Sequence, residues 1–297
     1  MKDTIVLGID IGGSHITATL VNLEKGSLIK DSHIREQVNA KGTVTEIISQ
    51  WSNIIMRSFI KANIPVKKIG IAMPGPFDYN KGVAWMKDQD KYDALYGLNV
   101  KNLLAESLNI PSQNIKFSND AESFLKGEVF IGAAKGATNA IGLTLGTGLG
   151  SAWYKNGNVE DADLWHSPFL DGIAEDYLST RWFVARYLSL TGKSVPGVKE
   201  LAEVANEKET AVKIFKEFGY NLARFLAGVI KKDEVDILVL GGNIANAFHL
   251  FSEELHKQLE NLPGMPEIKH AMLGEEAPLI GAASCWAEED VKATIRA

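Results

Sequence analysis

Three glycine-rich turns follow apolar, strand-like segments and could bind phosphate. They cover residues 10–14, 146–151 and 241–243. In such turns the backbone N–H groups can approach a phosphate because no Cβ stands in the way. Each turn alone is more typical of a hairpin than of a ligand-binding loop. Together, at the ends of three strand-like segments, they favour a nucleotide site.

Asp10 is an acidic residue inside an apolar strand, directly before the first glycine turn. A carboxylate in that position is costly to bury unless it meets a cation or hydrogen-bond donors. It could therefore hold the Mg²⁺ of a nucleoside triphosphate, directly or through water. The alternative is an aspartate that accepts hydrogen bonds from the backbone of its own turn.

Asn119 and Asp120 lie between a short strand pattern, 114–117, and a helix pattern, 121–131. A helix N-terminus favours negative charge, so an aspartate there stays ionised and can accept a proton. The Asn119 amide can both donate and accept hydrogen bonds. The pair would serve equally well as a helix N-cap. These residues alone leave both interpretations open.

Two common nucleotide-binding motifs do not fit the sequence. A dinucleotide-binding loop, G-x-G-x-x-G, opens a helix, whereas here Ser151 takes the place of the third glycine and the chain continues as a strand. A Walker A loop matches only at its end, Gly192 to Ser194, because Tyr187 stands where the first glycine belongs.

Strand patterns alternate with helix patterns along the chain. The predicted strands cover residues 4–11, 16–23, 27–33, 69–73, 114–117, 140–145, 151–154 and 235–240, and the predicted helices 44–64, 121–131 and 210–231. This order indicates an α/β fold whose sheets are mixed rather than wholly parallel. Ile110-Pro111 interrupts the pattern, which predicts a domain boundary near residues 108–113.

A weak internal repeat joins IVLGIDIGGS, residues 5–14, and LTLGTGLGS, residues 143–151. Both are apolar strand patterns that enter a glycine-rich turn with a hydroxyl residue. Two such turns facing each other would form a cleft between the domains. Coincidence within glycine-rich sequence explains the repeat equally well.

Composition excludes several classes of protein. A chain of 297 residues suggests about two domains. Its formal net charge of −6 argues against a nucleic-acid-binding protein. The single cysteine, Cys285, excludes a disulfide framework and a cysteine-rich metal site, and the six histidines show no HxH or HxxxH spacing. No apolar run reaches the roughly 18 residues of a membrane span, and the N-terminus has no signal-peptide pattern, so we expect a cytoplasmic protein.

Six segments, taken in order, resemble the ROK family of sugar kinases, part of the actin-like ATPase superfamily. The segments are DIGGS (10–14), GIAMPGPFDYNKG (70–82), Asn119-Asp120-Ala121 with Gly127-Glu128, LGTGLGSA (145–152), LVLGGNIANA (238–247) and PLIGAA (278–283). The resemblance implies two ribonuclease-H-like α/β domains with ATP and sugar in an interdomain cleft. It implies a smaller domain over residues 1–111 and a larger one over 112–278, with a C-terminal helix from about 279 to 297 packed back on the first. It also implies a homodimer.

The resemblance implies transfer of the γ-phosphoryl group of Mg-ATP to a hexose. The substrate that the resemblance favours is glucose, phosphorylated at its 6-hydroxyl. N-acetylmannosamine, N-acetylglucosamine, fructose and allose are alternatives that these motifs do not separate. The transfer needs one group that accepts the hydroxyl proton, a role that falls to Asp120, with Asn119 and Gly75 as further sugar contacts. The implied ATP-binding residues are Asp10 (also the Mg²⁺ ligand), Gly12, Gly13, Ser14, Gly146, Thr147, Gly148, Gly150, Gly241, Gly242 and Asn243.

The sequence departs from the family pattern in two places. Where the family has Glu-x-Gly-His and then a zinc-binding cysteine cluster, this chain has Asp163-Leu164-Trp165-His166 and lacks the cysteines, so we expect no structural zinc. Residues 172–179 still resemble the family's Gly-Cys-Leu-Glu-x-x-x-Ser, which implies Asp163, His166 and Glu175 as sugar ligands. Trp165 is our hypothetical brace in place of the zinc. In the first loop, Ser14-His15 stands where Thr-Lys is common.

Two other classes of protein share parts of this pattern. ROK-type repressors carry an N-terminal helix-turn-helix, whereas here the first predicted strand begins near residue 4, and the acidic charge also disfavours DNA binding. A non-catalytic ATP- or sugar-binding protein of the same fold is the second alternative. Asn119 and Asp120, together with His166 and Glu175, favour a kinase over it.

Overall fold

The computed structural model describes residues 4–65, 67–89, 91–230 and 234–287. Its internal contacts divide the chain into two compact units. The first runs through Ile131 and takes up the chain again from Glu275, and the second spans Gly132–Gly274. Among the helices within these described ranges, none combines the length and apolar character that crossing a membrane requires.

The first unit is built on a five-stranded sheet. Its strands are β1 (Ile5–Ile11), β2 (His15–Asn22), β3 (Ser27–Gln37), β4 (Ile69–Ala72) and β7 (Ile115–Ser118), with a small hairpin of β5 (Phe77–Asp78) and β6 (Val83–Ala84) beside it. The spatial order is β3-β2-β1-β4-β7. The first three strands are antiparallel, and β4 and β7 run parallel to β1.

The described part of the first unit also contains the helices α1 (Val44–Lys61), α2 (Val100–Leu108), α3 (Asp120–Phe130) and α9 (Ala277–Ser284). In α1 the Thr43 Oγ1 accepts a hydrogen bond from the Glu46 N–H, and the Glu46 carboxylate accepts one from the Thr43 N–H. This capping box fixes the start of the helix. Apolar residues three and four apart then pack into the core with the sheet, among them Ile47, Trp51 and Ile55.

The second unit has a sheet of its own. Its strands are β8 (Asn139–Leu145), β9 (Leu149–Lys155), β10 (Asn158–Asp161), β13 (Ile237–Gly241) and β14 (Glu267–His270), with a small hairpin of β11 (Pro168–Phe169) and β12 (Gly172–Ile173). Its helices are α4 (Ala174–Tyr177), α5 (Thr180–Thr191), α6 (Val198–Ala205), α7 (Glu209–Ile230) and α8 (Phe248–Leu259). The spatial order is β10-β9-β8-β13-β14.

The two sheets share one topology. Each consists of three sequential antiparallel strands followed by two strands parallel to the first of them. The turn from β1 to β2 and the turn from β8 to β9 therefore occupy corresponding positions. The weak internal repeat in the sequence reflects this duplicated architecture.

The domain boundary differs from the one expected near residues 108–113. After α2 the chain adds β7 to the first sheet, parallel to β4, and α3 packs in the same unit against α9. Residues through 131 therefore belong to the first unit. The C-terminal helix is described over Ala277–Ser284, and residues 288–297 of the expected helix lie outside the described residues.

Glycines bring α9 into close contact with its neighbours in the first unit. A Cβ on Gly281 would lie 1.7 Å from the carbonyl oxygen of Ser123 in α3. A Cβ on Gly8 in β1 would lie 2.0 Å from the carbonyl oxygen of Leu279. These backbones approach too closely for any side chain, so the sequence needs glycine at both positions.

Gly281→Ala is expected to destabilise the protein by about 1–3 kcal/mol or more, because a rigid backbone atom occupies the space of the new methyl group. Urea unfolding measures the change. Gly228→Ala in α7 is the matched control, since nothing lies within 4 Å of its Cβ position, and alanine should there stabilise the helix by about 0.8–1.0 kcal/mol. A Gly281→Ala variant as stable as the wild type would contradict the packing of α9.

Candidate active site

The first predicted phosphate loop is the turn between β1 and β2. The Gly12 N–H donates to the His15 carbonyl at 2.9 Å, and the Tyr92 hydroxyl donates to the Gly12 carbonyl at 2.6 Å. Gly13 and Ser14 are exposed at the tip of the loop. The loop is thus fixed at Gly12 and open to a ligand at its next two residues.

Asp10 lies in β1 just before this loop, and its surroundings oppose its ionisation. The pKa of the Asp10 carboxyl is raised from its ordinary value of 3.8 to about 7. Burial is the largest cause, and the Asp120 carboxylate also raises this pKa, while Arg35 lowers it and Glu275 adds a smaller increase. A cation at this position would relieve the repulsion between Asp10 and Asp120.

The Asp10 carboxylate fits an Mg²⁺ ion whose coordination is completed by a bound ligand. Magnesium usually takes one or two carboxylates and completes its shell with water and substrate phosphates. Throughout the described part of the chain, no group of three or more His, Cys, Asp or Glu residues could hold a metal ion unaided. Asp10, directly or through water, is the residue that would hold Mg²⁺ together with a bound phosphate.

Asn119 and Asp120 lie at the start of α3, where β7 ends. The Asn119 side-chain oxygen accepts from the N–H groups of Ala121 at 2.8 Å and Glu122 at 3.2 Å, so it caps the helix. Its amide nitrogen donates to the Tyr79 hydroxyl at 3.2 Å. The acceptor of Asn119 is therefore used, and one amide N–H is left to donate to a ligand. Asp120 is exposed at the first helical position.

Tyr79 is a site residue that the sequence analysis missed. Its hydroxyl donates to the Met73 carbonyl at 3.0 Å while accepting from Asn119. The same hydroxyl would lie 3.3 Å from a Cβ on Gly75. Tyr79 thus connects the Pro-Gly segment, in which Gly75 is the predicted sugar contact, to the start of α3.

The two predicted loops of the second unit lie side by side. The Gly146 carbonyl accepts from the backbone N–H of Thr180 at 2.8 Å and from its hydroxyl at 2.9 Å. Gly242 has a φ of 85° and runs against Leu145, whose carbonyl oxygen would lie 2.4 Å from a Cβ on Gly242. Only glycine allows this approach of the β13 turn to the β8 turn.

A cavity of about 620 Å³ opens beside these loops, within the size range of small-molecule sites. Thr147 and Asn243 line it, as the sequence analysis expects of nucleotide-binding residues. The sequence analysis did not predict the other residues that line the cavity, because the sequence of α6 has the pattern of an ordinary amphipathic surface helix. The residues that α6 and the chain beyond it contribute include Lys199, Glu200, Glu203, Asn206 and His249.

Asp163 and His166 are exposed and adjacent, with 3.2 Å between the Asp163 Oδ1 and the His166 Nδ1. Trp165 is 45% exposed, and its ring centre lies 5.1 Å from that of His166. The hypothesis that Trp165 replaces the zinc as an apolar brace stays a prediction, since the Trp165 ring contacts His166 but is not buried. Nearby, Phe169 contacts Tyr177 and Phe225 edge to face, at 5.5 and 5.6 Å between ring centres.

Glu175 contacts the second phosphate loop. Its Oε2 accepts from the Leu149 N–H at 2.9 Å, and its Oε1 accepts from the Arg181 guanidinium at 2.5 Å. A Cβ on Gly148 would lie 2.6 Å from Oε2, so glycine there makes room for the carboxylate. Glu175 therefore supports the second phosphate loop through its carboxylate.

The structure groups the predicted site residues by unit. The first unit brings together Asp10 and Asp120 with the β1–β2 loop, and Asn119 with Gly75. The second unit brings together the residues of the two glycine loops, with Glu175 against one of them. Its Asp163 and His166 form a separate exposed pair.

Comparison with known proteins gives a consistent result. The model of the ROK family matches residues 6–161 and 171–289. An N-acetyl-D-glucosamine kinase of Mannheimia succiniciproducens is 23% identical over 315 residues, covering 95% of this chain and 99% of that protein. A glucokinase of Thermotoga maritima is 22% identical over 314 residues, covering 94% of this chain and 96% of that protein.

Solved structures show the same fold. The ROK glucokinase of Streptomyces griseus in complex with glucose and AMPPNP superposes with a TM-score of 0.75 at 22% identity, over 95% of this chain and 98% of that one. The ROK hexokinase of Thermus thermophilus superposes with a TM-score of 0.76 at 22% identity, over 94% of this chain and 96% of that one. The predicted fold class is confirmed.

Proposed function

The chain belongs to the ROK family, and on that premise we propose that it is an ATP-dependent sugar kinase with Asp120 as its general base. The observation that carries the proposal is the electrostatic interaction of Asp120 with Asp10, which lies near the end of β1 just before the β1–β2 loop. It puts a proton acceptor beside a carboxylate suited to Mg²⁺ and beside a loop suited to phosphate. Phosphoryl transfer requires these three groups close together.

In the proposed reaction, a sugar hydroxyl oxygen bonds to the γ-phosphorus as the bond from that phosphorus to the β–γ bridging oxygen breaks. The hydroxyl proton passes to a carboxylate oxygen of Asp120, and ADP leaves. Mg²⁺, when bound, neutralises charge on the phosphates. Backbone N–H groups of the glycine loops at Gly12 to Ser14 and Gly146 to Gly150 bind phosphate oxygens, and the cavity beside Asn243 takes the nucleoside.

The proposed sugar contacts are the free amide N–H of Asn119, the Asp163–His166 pair, Glu175 and the Gly75 segment. We propose glucose as the substrate and its 6-hydroxyl as the acceptor. An N-acetylhexosamine is the main alternative, since the chain is similar to kinases of both sugars at nearly equal identity. Fructose, allose and N-acetylmannosamine complete the set to be tested.

Glu175→Ala is expected to lower kcat/KM for both ATP and the sugar, by about 10- to 100-fold. The change leaves the Leu149 N–H without its acceptor, and a lost buried hydrogen bond costs about 1–3 kcal/mol. Initial-rate kinetics with each substrate varied in turn measure the effect. Glu217→Ala, which removes another glutamate paired with an arginine (Arg186), is the control and should change neither value. A loss confined to the sugar would show that Glu175 does not support the loop.

The proposal is tested by ADP release from Mg-ATP against a panel of free sugars: glucose, fructose, mannose, allose and the N-acetylhexosamines. Strong turnover with one sugar would support the kinase and identify its substrate. Binding of ATP with no sugar-dependent turnover, confirmed with a wider panel that includes disaccharides, would overturn the proposed activity.

A further inference from the structure

The side chain of Lys91 lies across the first glycine loop. Its Cδ lies 3.5 Å, and its Cβ 3.9 Å, from the position that a Cβ on Gly13 would take. The ammonium group follows only two bonds beyond Cδ, so it lies beside the exposed tip of the loop. A residue nearly eighty positions later in the chain thus brings a cation to the turn between β1 and β2.

The neighbouring residue, Tyr92, fixes this arrangement. Its ring is fully buried and meets Trp51 edge to face, with 5.2 Å between ring centres. Its N–H donates to the Ala40 carbonyl at 2.7 Å, and its hydroxyl donates to Gly12. Burial raises the pKa of Tyr92 and Asp10 raises it further, so the hydroxyl keeps its proton and remains a donor.

The backbone conformation of Tyr92 also shows that its surroundings hold this residue in place. Its φ of 58° and ψ of 22° lie in the left-handed region, which a non-glycine residue adopts only when its surroundings compensate the strain. The buried ring and the two hydrogen bonds provide that compensation. The direction in which Lys91 leaves the backbone is therefore set by the core beneath the loop.

Two other basic side chains near this loop, among the residues that the structure describes, already have partners. Arg35 pairs with Glu275 at 2.9 Å, and the His15 Nδ1 lies 3.0 Å from the Ser14 hydroxyl. Among the residues that the structure describes, no carboxylate pairs with Lys91. Within the described part of the chain, its ammonium is thus a positive charge, without a carboxylate partner, that the loop can offer to a ligand.

We propose that the Lys91 ammonium binds the terminal phosphate of the nucleotide at the β1–β2 loop. This inference rests on the proposed kinase function. A lysine ammonium serves as a compact point charge for phosphate. The phosphate concerned is the terminal one, because Asp10, which precedes the loop, interacts electrostatically with Asp120. The group that accepts the hydroxyl proton must lie near the phosphoryl group that is transferred.

The test compares Lys91→Met with Lys91→Arg. Methionine is unbranched and keeps the apolar packing over Gly13 while removing the charge, and arginine restores a charge. Titration calorimetry without sugar measures the Kd for Mg-AMPPNP and for Mg-ADP. We expect Lys91→Met to weaken Mg-AMPPNP binding about 10- to 100-fold, the range for a hydrogen bond to a charged group, and to leave Mg-ADP nearly unchanged. Lys91→Arg should recover most of the loss.

Lys87→Met is the matched control, since Lys87 lies in the same connection but over the ring of Tyr96, at 5.4 Å from its centre. It should change neither affinity. Unchanged Mg-AMPPNP binding in a folded Lys91→Met protein, or an equal loss for both nucleotides, would overturn the proposal. The titration needs no turnover, so a protein inactive on every sugar would defeat the kinase proposal while this test still gave its own answer.

Discussion

Replacing Asp120 with asparagine is expected to lower kcat for sugar phosphorylation by about 10²–10⁴-fold, the usual contribution of a general base. Asparagine has nearly the same shape and still stands at the first position of α3, but it cannot accept the hydroxyl proton. Affinity for Mg-AMPPNP and for the sugar should stay within a few-fold of wild type. A coupled ADP assay measures the rate, and titration calorimetry measures the two affinities.

Glu122→Gln is the matched control for this change. Glu122 lies in the same first turn of α3 and pairs with Lys126 at 3.8 Å, so its carboxylate is not required to accept a proton. Its kcat should remain near the wild-type value. An Asp120→Asn enzyme that retained most of its turnover would show that another group takes the proton.

Asp10→Asn is expected to have two opposite effects: loss of Mg-ATP-dependent turnover by about 10²-fold or more, and a more stable metal-free protein. Turnover falls because the amide cannot replace a carboxylate toward Mg²⁺. Stability rises because the pKa of Asp10 is about 7 in the folded protein against an ordinary value of 3.8. Ionisation of Asp10 therefore lowers the free energy of unfolding. This loss of stability grows as the pH rises from about 4 to 7 and reaches its full size above pH 7.

Thermal unfolding in EDTA measures the second effect. The Tm of Asp10→Asn should exceed that of the wild type by several degrees at pH 8, since about 1 kcal/mol corresponds to roughly 2–4 °C in domains of 150–250 residues. The difference should shrink at pH 5 and vanish below pH 4. Asp78→Asn is the control of opposite sign, because the Lys81 backbone N–H lowers the pKa of Asp78. A lower Tm for Asp10→Asn at pH 8 would contradict the account of Asp10.

Local sequence patterns were enough to locate the elements that carry the site. Glycine turns end β1, β8 and β13, where apolar, β-branched runs stop, and a turn of this kind depends on few residues. The start of α3 was recognisable in the same way, from the capping residue Asn119. Which sheet a strand joins depends instead on distant partners. That is why β7 was assigned to the wrong side of the domain boundary.

The contacts within the site depend on residues far apart in the chain, and no short pattern reveals them. Glu175 reaches Leu149 across 26 positions, and Tyr79 reaches Asn119 across 40. Lys91 lies over Gly13 because the buried Tyr92 is anchored to the first loop. The partly exposed position of Trp165 beside His166 likewise follows from no short pattern.

The most direct test of the account is to follow the γ-phosphoryl group itself. Wild-type protein is incubated with γ-³²P-labelled Mg-ATP and the sugar that the panel selects, and the products are separated. We predict label in a sugar monophosphate, in proportion to the ADP formed, and none of that product with Asp120→Asn. Label found only in inorganic phosphate, or a sugar phosphate formed equally well by Asp120→Asn, would contradict the claim that this chain transfers phosphoryl groups to a sugar through Asp120.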